Sequence, residues 1–158
     1  MVRLEPMTEE EFLAFRERGI ARRAAIRVAQ GVWTEAEALA TSRAEYDRDL
    51  PHGLATPHRH LATVRDDAGG ARVGEVWYVA EPKGGKTQFW IEWLTIDPPY
   101  RRRGYARALI RALADEARRR GADRVGLYVR EANREAVALY EALGFATDGR
   151  ILSLGLSP

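Results

Sequence analysis

The segment TQFWIEWLTID, residues 87–97, most constrains the fold, because it alternates like a β-strand and yet is apolar on both faces. Period-two alternation assigns its side chains to two faces: Phe89, Ile91, Trp93 and Thr95 on one, and Trp90, Glu92, Leu94 and Ile96 on the other. A strand that is apolar on both faces is typical of the interior of a sheet covered on both sides. We therefore expect a sheet flanked by helices, with this strand near its centre.

The rest of the chain supplies the elements of such a sheet. Two Thr-x-x-Glu capping boxes, beginning at Thr8 and Thr34, each predict the start of a helix. The turns DAGG and PKGGK separate three predicted strands that form antiparallel hairpins. The predicted elements are strands at 2–4, 60–66, 71–81, 87–97, 123–131 and, once or twice, within 145–156, and helices at about 8–30, 34–48, 105–120 and 133–143. This order predicts one mixed α/β domain, residues 1–158, with a mostly antiparallel sheet and about four helices.

Composition narrows the class of protein. The chain has no cysteine, which excludes disulfides, thiolate metal sites and a cysteine nucleophile, and is compatible with a reducing cytoplasm. The net charge is +2, with acidic residues spread among the basic ones, so nucleic-acid binding is not indicated and an anionic ligand suits the mild excess. The first residues lack the apolar core of a signal peptide, and no 18-residue apolar stretch occurs. We expect a cytoplasmic protein that does not enter a membrane.

The segment PPYRRRGYARAL, residues 98–109, places three arginines and a glycine between a strand and a helix. Backbone N–H groups at a helix N-terminus lack intrahelical partners and lie at the positive end of the helix dipole, which favours phosphate. Gly104 permits close backbone approach, and arginine matches phosphate with forked donors. On spacing alone, a phosphate site and a glycine turn with solvated arginines are equally supported.

The pattern Arg101-x-x-Gly104-x-Ala106, after a strand and Asp-Pro-Pro-Tyr, resembles the acyl-CoA pyrophosphate loop of the GNAT N-acetyltransferase superfamily. Further on, NREAVALYEALGF resembles that family's second signature, carried here by Asn133, Ala136, Leu139, Tyr140, Gly144 and Phe145. The resemblance is closest over residues 87–156, whereas the leading half matches only in the order of its elements. It implies a GNAT-like fold and transfer of an acetyl group from acetyl-CoA to a primary amine of a small molecule or peptide.

The resemblance also implies where acetyl-CoA binds. Its pyrophosphate would lie on the backbone around Arg102 to Ala106, and its pantetheine arm would pair with free backbone groups near Leu94 and Ile96, where an N–H would stabilise the oxyanion. The residues expected to bind the cofactor are Leu94, Thr95, Ile96, Arg101, Arg102, Arg103, Gly104, Tyr105, Ala106, Asn133 and Tyr140. Direct attack by the amine in a ternary complex needs no protein nucleophile, which suits a chain without cysteine.

Two catalytic residues are expected. By the resemblance, Tyr140 is the general acid that protonates the departing thiolate, although its position alone favours a core tyrosine on the helix stripe. Asn133, seven residues earlier, fits a plain N-cap almost as well as a cofactor contact. Glu92 lies in a strand predicted to be buried, so we expect either a structural ion pair or a general base with a raised pKa. A solvent base remains open, and Glu75 is a weaker candidate.

Three histidines, His52, His58 and His60, cluster in the loop before the first hairpin. Without cysteine or a carboxylate cluster nearby we predict no metal site, and by the resemblance this loop and the leading helices flank the acceptor. An alternative function is an acyl-CoA-binding sensor or regulatory module without efficient turnover, since the cofactor loop fits both. Dimerisation is common in the family, and the sequence decides neither the oligomeric state nor the amine acceptor.

Overall fold

The computed structural model describes residues 1–149 and has the predicted mixed α/β architecture. The elements, in chain order, are β1 (Val2–Pro6), α1 (Glu9–Ala29), α2 (Glu35–Asp49), β2 (Arg59–Asp66), β3 (Arg72–Lys83), β4 (Lys86–Ile96), α3 (Tyr105–Arg119), β5 (Val125–Leu127) and α4 (Arg134–Glu141). Short 3₁₀ turns lie at Gly53–Ala55 and Pro98–Tyr100.

Both predicted capping boxes start helices. At α1 the Thr8 hydroxyl accepts from the Glu11 N–H at 3.2 Å, and the Glu11 carboxylate accepts from the Thr8 N–H at 3.0 Å. At α2 the Thr34 N–H donates to the Glu37 carboxylate at 3.2 Å. These reciprocal bonds satisfy N–H groups that a helix leaves unpaired, which is why so local a signal fixes the start of each helix.

The five strands form one sheet in sequence order, β1-β2-β3-β4-β5. The first three pairings are antiparallel, and β4 pairs with β5 in parallel through the α3 crossover. The predicted mixed, mostly antiparallel sheet is therefore confirmed, and β4 lies between two neighbours, as its two apolar faces required.

Each face of the sheet has its own core. On one face α3 buries Leu109 and Leu113, both fully, against β2, β3 and β4. On the other face α1 and α2 pack side chains against Trp77 of β3, and Trp93 of β4 packs partly against the same cluster. The residues buried in this second core are Met7, Phe12, Phe15, Ile20, Tyr46, Leu50, Leu61 and Trp77. Helices thus cover β4 on both sides.

A β-bulge in β4 corrects the predicted assignment of faces. Trp77 pairs with Trp93 while its neighbour Tyr78 pairs with Ile91, so Glu92 is an extra residue without a cross-strand partner. The extra residue shifts the alternation by one. Phe89 and Ile91 consequently share the α3 core with Leu94 and Ile96 rather than with Trp93 and Thr95, so the strict alternation expected over 87–97 was wrong.

The chain divides into two compact units, Met1–Leu127 and Tyr128–Pro158, and the prediction of a single domain over 1–158 remains a prediction. In the second unit, α4 is shorter than the predicted helix at 133–143. The strand expected at 123–131 is only Val125–Leu127. Of the final strands expected within 145–156, residues 145–149 are not in a strand and the rest lie outside the described residues.

Within residues 1–149, no helix combines the length and the apolar character that a membrane span requires.

Candidate active site

The arginine turn joins the end of β4 to the start of α3. The Asp97 N–H donates to the carbonyl of Val73 at 2.8 Å, which anchors the entry to the turn on β3. After the 3₁₀ turn, Arg101 is extended and Arg102 adopts a left-handed conformation with φ of 61°. Such a φ is uncommon outside glycine, so the backbone of this turn is strained at the position where phosphate binding was predicted.

Gly104 is the residue from which α3 starts. Its φ of 83° is left-handed, whereas a Cβ there would meet no atom within 4 Å, so backbone conformation rather than packing favours glycine. No side chain caps the helix, and the first helical bond closes at Ala108, whose N–H donates to the Gly104 carbonyl at 3.0 Å. The N–H groups of Tyr105 and Ala106 therefore lie in the first turn without helical acceptors, a geometry that suits an anion.

One of the three arginines has a local structural role. The Arg101 Nε donates to the Ile96 carbonyl at 2.9 Å and so closes the turn onto the last residue of β4. The expectation that backbone groups near Ile96 are free is thus wrong for this carbonyl. Arg103 lies over the ring of Tyr100 at 6.0 Å, and the three arginine side chains of the turn are exposed.

The β5-facing side of β4 is paired over only part of its length. The ladder joins Phe89, Trp90 and Ile91 to Val125, Gly126 and Leu127, and then stops. Beyond the bulge, β4 continues through Leu94 and Thr95 to Ile96 without pairing to β5. The interruption begins at Glu92 and leads to the arginine turn, so backbone groups of β4 and the start of α3 lie along one continuous path.

Glu92 lies on the bulge, and its charged neighbours place it on the α1–α2 side of the sheet. Its side chain is accessible to solvent rather than buried as predicted, and it forms no hydrogen bond or ion pair within residues 1–149. Partial burial among protein atoms raises its pKa, and the nearby charge of Asp49 raises it further, while Arg59 and Arg23 oppose them. The structural ion pair considered for Glu92 is therefore absent from the described part of the chain.

Glu75, the weaker base candidate, has a structural position instead. Its side chain is 3% exposed, and one carboxylate oxygen accepts from Arg18 and from Arg72, each at 2.7 Å. Arg72 also lies 3.3 Å from the Asp97 carboxylate, so this cluster connects α1, β3 and the entry to the arginine turn. The near-complete burial of this carboxylate and its two ion pairs favour a structural role for Glu75 over that of the base.

The second unit carries the other two predicted site residues. The Asn133 side chain accepts from the Ala136 N–H at 3.3 Å and so caps α4, as the plain interpretation of this asparagine predicted. The Tyr140 ring lies 5.5 Å from that of Phe145, and burial raises the pKa of its hydroxyl. The hydroxyl is therefore protonated at neutral pH, as a general acid must be, while its raised pKa makes it a weaker acid.

The histidines do not assemble a metal site. No group of three or more histidine, cysteine or acidic side chains within residues 1–149 has the geometry to hold a metal ion. His60 instead stacks on Tyr78 at 4.9 Å, and its Nε2 lies 3.2 Å from an Arg120 nitrogen. Tyr78 belongs to the α3 core, so His60 lies on the opposite face of the sheet from Trp93.

Sequence reasoning missed one pair beside Glu92. The Arg22 guanidinium of α1 lies 3.3 Å from the centre of the Trp93 ring, directly after the bulge. The available signal was the spacing of Arg18 and Arg22, which puts two arginines on one side of α1. The contact of Arg22 with Trp93 could not be predicted from the sequence, because the bulge that turns Trp93 toward α1 depends on how β3 and β4 pair.

Known proteins are similar to this chain over most of its length. The model of the acetyltransferase (GNAT) family matches residues 26–145. YdgE of Bacillus subtilis, described as an uncharacterized N-acetyltransferase, is 34% identical over 143 residues, 90% of each chain. YycN of the same organism, described likewise, is 32% identical over 152 residues, 96% of this chain and 97% of the relative. The crystal structure of YycN superposes with a TM-score of 0.89 over 100% of both chains.

Proposed function

The chain belongs to the GNAT family of acetyltransferases and is an acyltransferase, and we propose that it transfers an acetyl group from acetyl-CoA to a primary amine of a small molecule or peptide. The observation that carries the proposal is the interrupted β4–β5 ladder, which runs from the Glu92 bulge to the arginine turn. Along this path lie the Glu92 carboxylate, the part of the β4 edge that does not pair with β5, and the start of α3, whose N–H groups suit an anion.

Acetyl-CoA would bind along that path. Its pyrophosphate would accept from the backbone N–H groups between Arg102 and Ala106, with the arginines of the turn balancing its charge. The glycine conformation and uncapped start of α3 support this placement. The pantetheine arm would pair with β4 at Leu94 and Thr95, while the Ile96 carbonyl keeps its bond to Arg101.

The chemistry then needs one proton acceptor and one proton donor. Glu92 would take the proton from the ammonium form of the acceptor, directly or through one water, and the free amine would attack the thioester carbonyl. The new C–N bond would form first and give a tetrahedral oxyanion that a backbone N–H of β4 stabilises, the nitrogen would lose its remaining extra proton to solvent, and collapse of the intermediate would then break the C–S bond. Tyr140 would protonate the departing thiolate, a role supported by its place in the second signature.

Calorimetric titration with acetyl-CoA, with NAD and ATP as controls, tests the cofactor. Micromolar binding of acetyl-CoA alone supports the proposal, and a panel of amines followed by release of the CoA thiol then tests turnover. The chain has no cysteine, so a thiol-reactive dye reports CoA alone. Tight binding with no acetylation of any amine would instead favour the sensor or regulatory module.

Tyr140→Phe tests the proposed acid. The variant should turn over more slowly, by about tenfold or more, because a general acid typically contributes at least that much, and should bind acetyl-CoA almost unchanged. Since the acid works only while protonated, wild-type activity should fall as pH rises through the Tyr140 pKa. Tyr128→Phe is the matched control, because Tyr128 is 63% exposed in the same unit. An unchanged rate across pH in Tyr140→Phe would remove Tyr140 from the mechanism.

A further inference from the structure

The side of β4 that carries Glu92 also carries a partly buried cation. The guanidinium of Arg22 lies 3.3 Å from the centre of the Trp93 ring, and Trp93 is the residue after the bulged Glu92. Glu92 and Trp93 are adjacent in the chain, so an acceptor that reaches Glu92 would lie beside the residue on which Arg22 stacks.

Arg22 has no carboxylate of its own in the described part of the chain. Neighbouring arginines do: Arg18 pairs with Glu75 at 2.7 Å, and Arg23 lies 3.1 Å from Glu45 and 3.3 Å from Asp49. Burial is the largest influence on Arg22 and lowers its pKa, whereas the Tyr46 hydroxyl and the charge of Glu75 raise it. A partly desolvated guanidinium without an anion costs free energy that a bound anion would recover.

Buried donors on the same side also lack acceptors. The indole N–H groups of Trp93 and its cross-strand partner Trp77 are buried, and neither has a hydrogen-bond acceptor among residues 1–149. Buried donors in proteins are normally satisfied. Two buried indole donors without acceptors, on the side of the sheet where Arg22 has no carboxylate, favour a ligand that brings acceptor oxygens rather than further donors.

We propose that Arg22 binds a carboxylate carried by the amine acceptor, so that the substrate class of this acetyltransferase is amino acids. This inference rests on the proposed function, because it takes Glu92 as the group that receives the proton of the amine. A guanidinium matches a carboxylate with two parallel hydrogen bonds and would fix the amine relative to Glu92. Arg22 is then a specificity-determining residue, and Trp93 holds its guanidinium in place by stacking.

The test compares each of the common L-amino acids with its own amide as acceptor, by release of CoA thiol. Wild-type kcat/KM should be at least about tenfold higher for the acid than for the amide, since a charge-assisted pair is lost in the amide. β-Alanine and 4-aminobutyrate, with amides of their own, extend the comparison to longer spacings between amine and carboxylate. In Arg22→Gln the preference should collapse to about twofold or less, mainly through KM for the acceptor.

Arg27→Gln is the matched control. Arg27 lies on the same helix and is also associated with a tryptophan ring, at 5.9 Å from Trp33, but it is exposed. It should keep the full preference for acids. Amides that react as well as acids, or a preference that survives in Arg22→Gln, would overturn the inference. So would phosphoethanolamine reacting better than every amino acid, because the anion would then be a phosphate.

A second measurement separates this inference from the proposed function. N-acetyl amino acids and their amides are titrated calorimetrically in the presence of CoA, which needs no turnover. Binding of the acids at least about tenfold tighter in wild type, lost in Arg22→Gln, supports carboxylate binding even if no amine is acetylated. Equal binding of acids and amides rejects it, even if simple amines are acetylated.

Discussion

Glu92 is an ionisable side chain whose surroundings disfavour its charge. Its carboxylate forms no hydrogen bond or ion pair within residues 1–149, and burial together with Asp49 raises its pKa more than Arg59 and Arg23 lower it. A raised pKa brings a carboxylate closer to the operating pH, which makes it a better proton acceptor. The same surroundings make the ionised form of Glu92 unfavourable in the folded state. Removing its charge should therefore lower activity and raise the free energy of unfolding.

Glu92→Gln tests both responses. We expect kcat to fall by about 100-fold or more and the loss of activity toward acidic pH to disappear, because glutamine cannot take a proton. The folded-state pKa is above the unfolded value of 4.5, so ionisation destabilises the fold above that pH. The variant should therefore be more stable than wild type near pH 7 and equal to it below 4.5. Thermal unfolding across pH measures this difference in stability, and Glu81→Gln, at an exposed position, is the control. If the activity of Glu92→Gln kept the wild-type pH profile, Glu92 would be excluded as the base.

Gly104 offers an equally direct test of the arginine turn. Gly104→Glu should weaken acetyl-CoA binding by at least about tenfold, because a carboxylate would repel the pyrophosphate at the start of α3. Gly121 follows α3 with φ of 77° and, like Gly104, has nothing within 4 Å of a Cβ. Gly121→Glu should thus show the same strain, about 1–2 kcal/mol, and keep wild-type affinity. Calorimetry that finds wild-type affinity in Gly104→Glu would move the pyrophosphate elsewhere.

At the scale of elements, a group of opposite charges connects α1 and β3 to the turn. Glu75 accepts from Arg18 of α1 and Arg72 of β3, and Arg72 also faces Asp97 where the turn begins. The carboxylate is almost fully buried, while Arg18 is about half exposed. The cluster is therefore weaker than a fully buried network, because solvent screens part of the attraction.

Glu75→Gln measures what that cluster contributes. It should lower the free energy of unfolding by about 1–3 kcal/mol, since two guanidinium groups lose their anion in a partly screened site. Urea unfolding by circular dichroism gives the value, with Glu81→Gln again as control. The shape of the pH–rate profile should not change, in contrast to Glu92→Gln. A profile that loses its acidic limb in Glu75→Gln would reassign the base to Glu75.

The elements also show what the sequence could predict. The starts of α1 and α2 could be predicted from the sequence because a capping box is formed within four residues. The central position of β4 could be predicted because both of its faces are apolar. The Glu92 bulge was not readable, because register depends on how β3 and β4 pair, and a shift of one residue exchanges the faces. The same limit hid Arg22, whose contact with Trp93 exists only through the bulge.

At the scale of the whole molecule, the division into two compact units bears on how cooperatively the chain unfolds. The predicted single domain spans 1–158, whereas the structure divides into compact units at Leu127. The two sequence signatures lie in different units, with the arginine turn in the first and Asn133 and Tyr140 in the second. A cofactor that uses residues of both signatures would link the stability of both units to its binding.

Differential scanning calorimetry with and without acetyl-CoA tests this linkage. A single domain predicts one transition whose calorimetric and van't Hoff enthalpies agree. At 100 times its Kd, acetyl-CoA should stabilise the folded chain by about 2.7 kcal/mol. For a chain of this size that corresponds to a rise in Tm of roughly 5–11 °C.

NAD at the same concentration should give no shift, and Gly104→Glu should lose the shift given by acetyl-CoA. Two separate transitions, of which acetyl-CoA moves only one, would show that the chain folds as two domains and that one of them binds the cofactor alone.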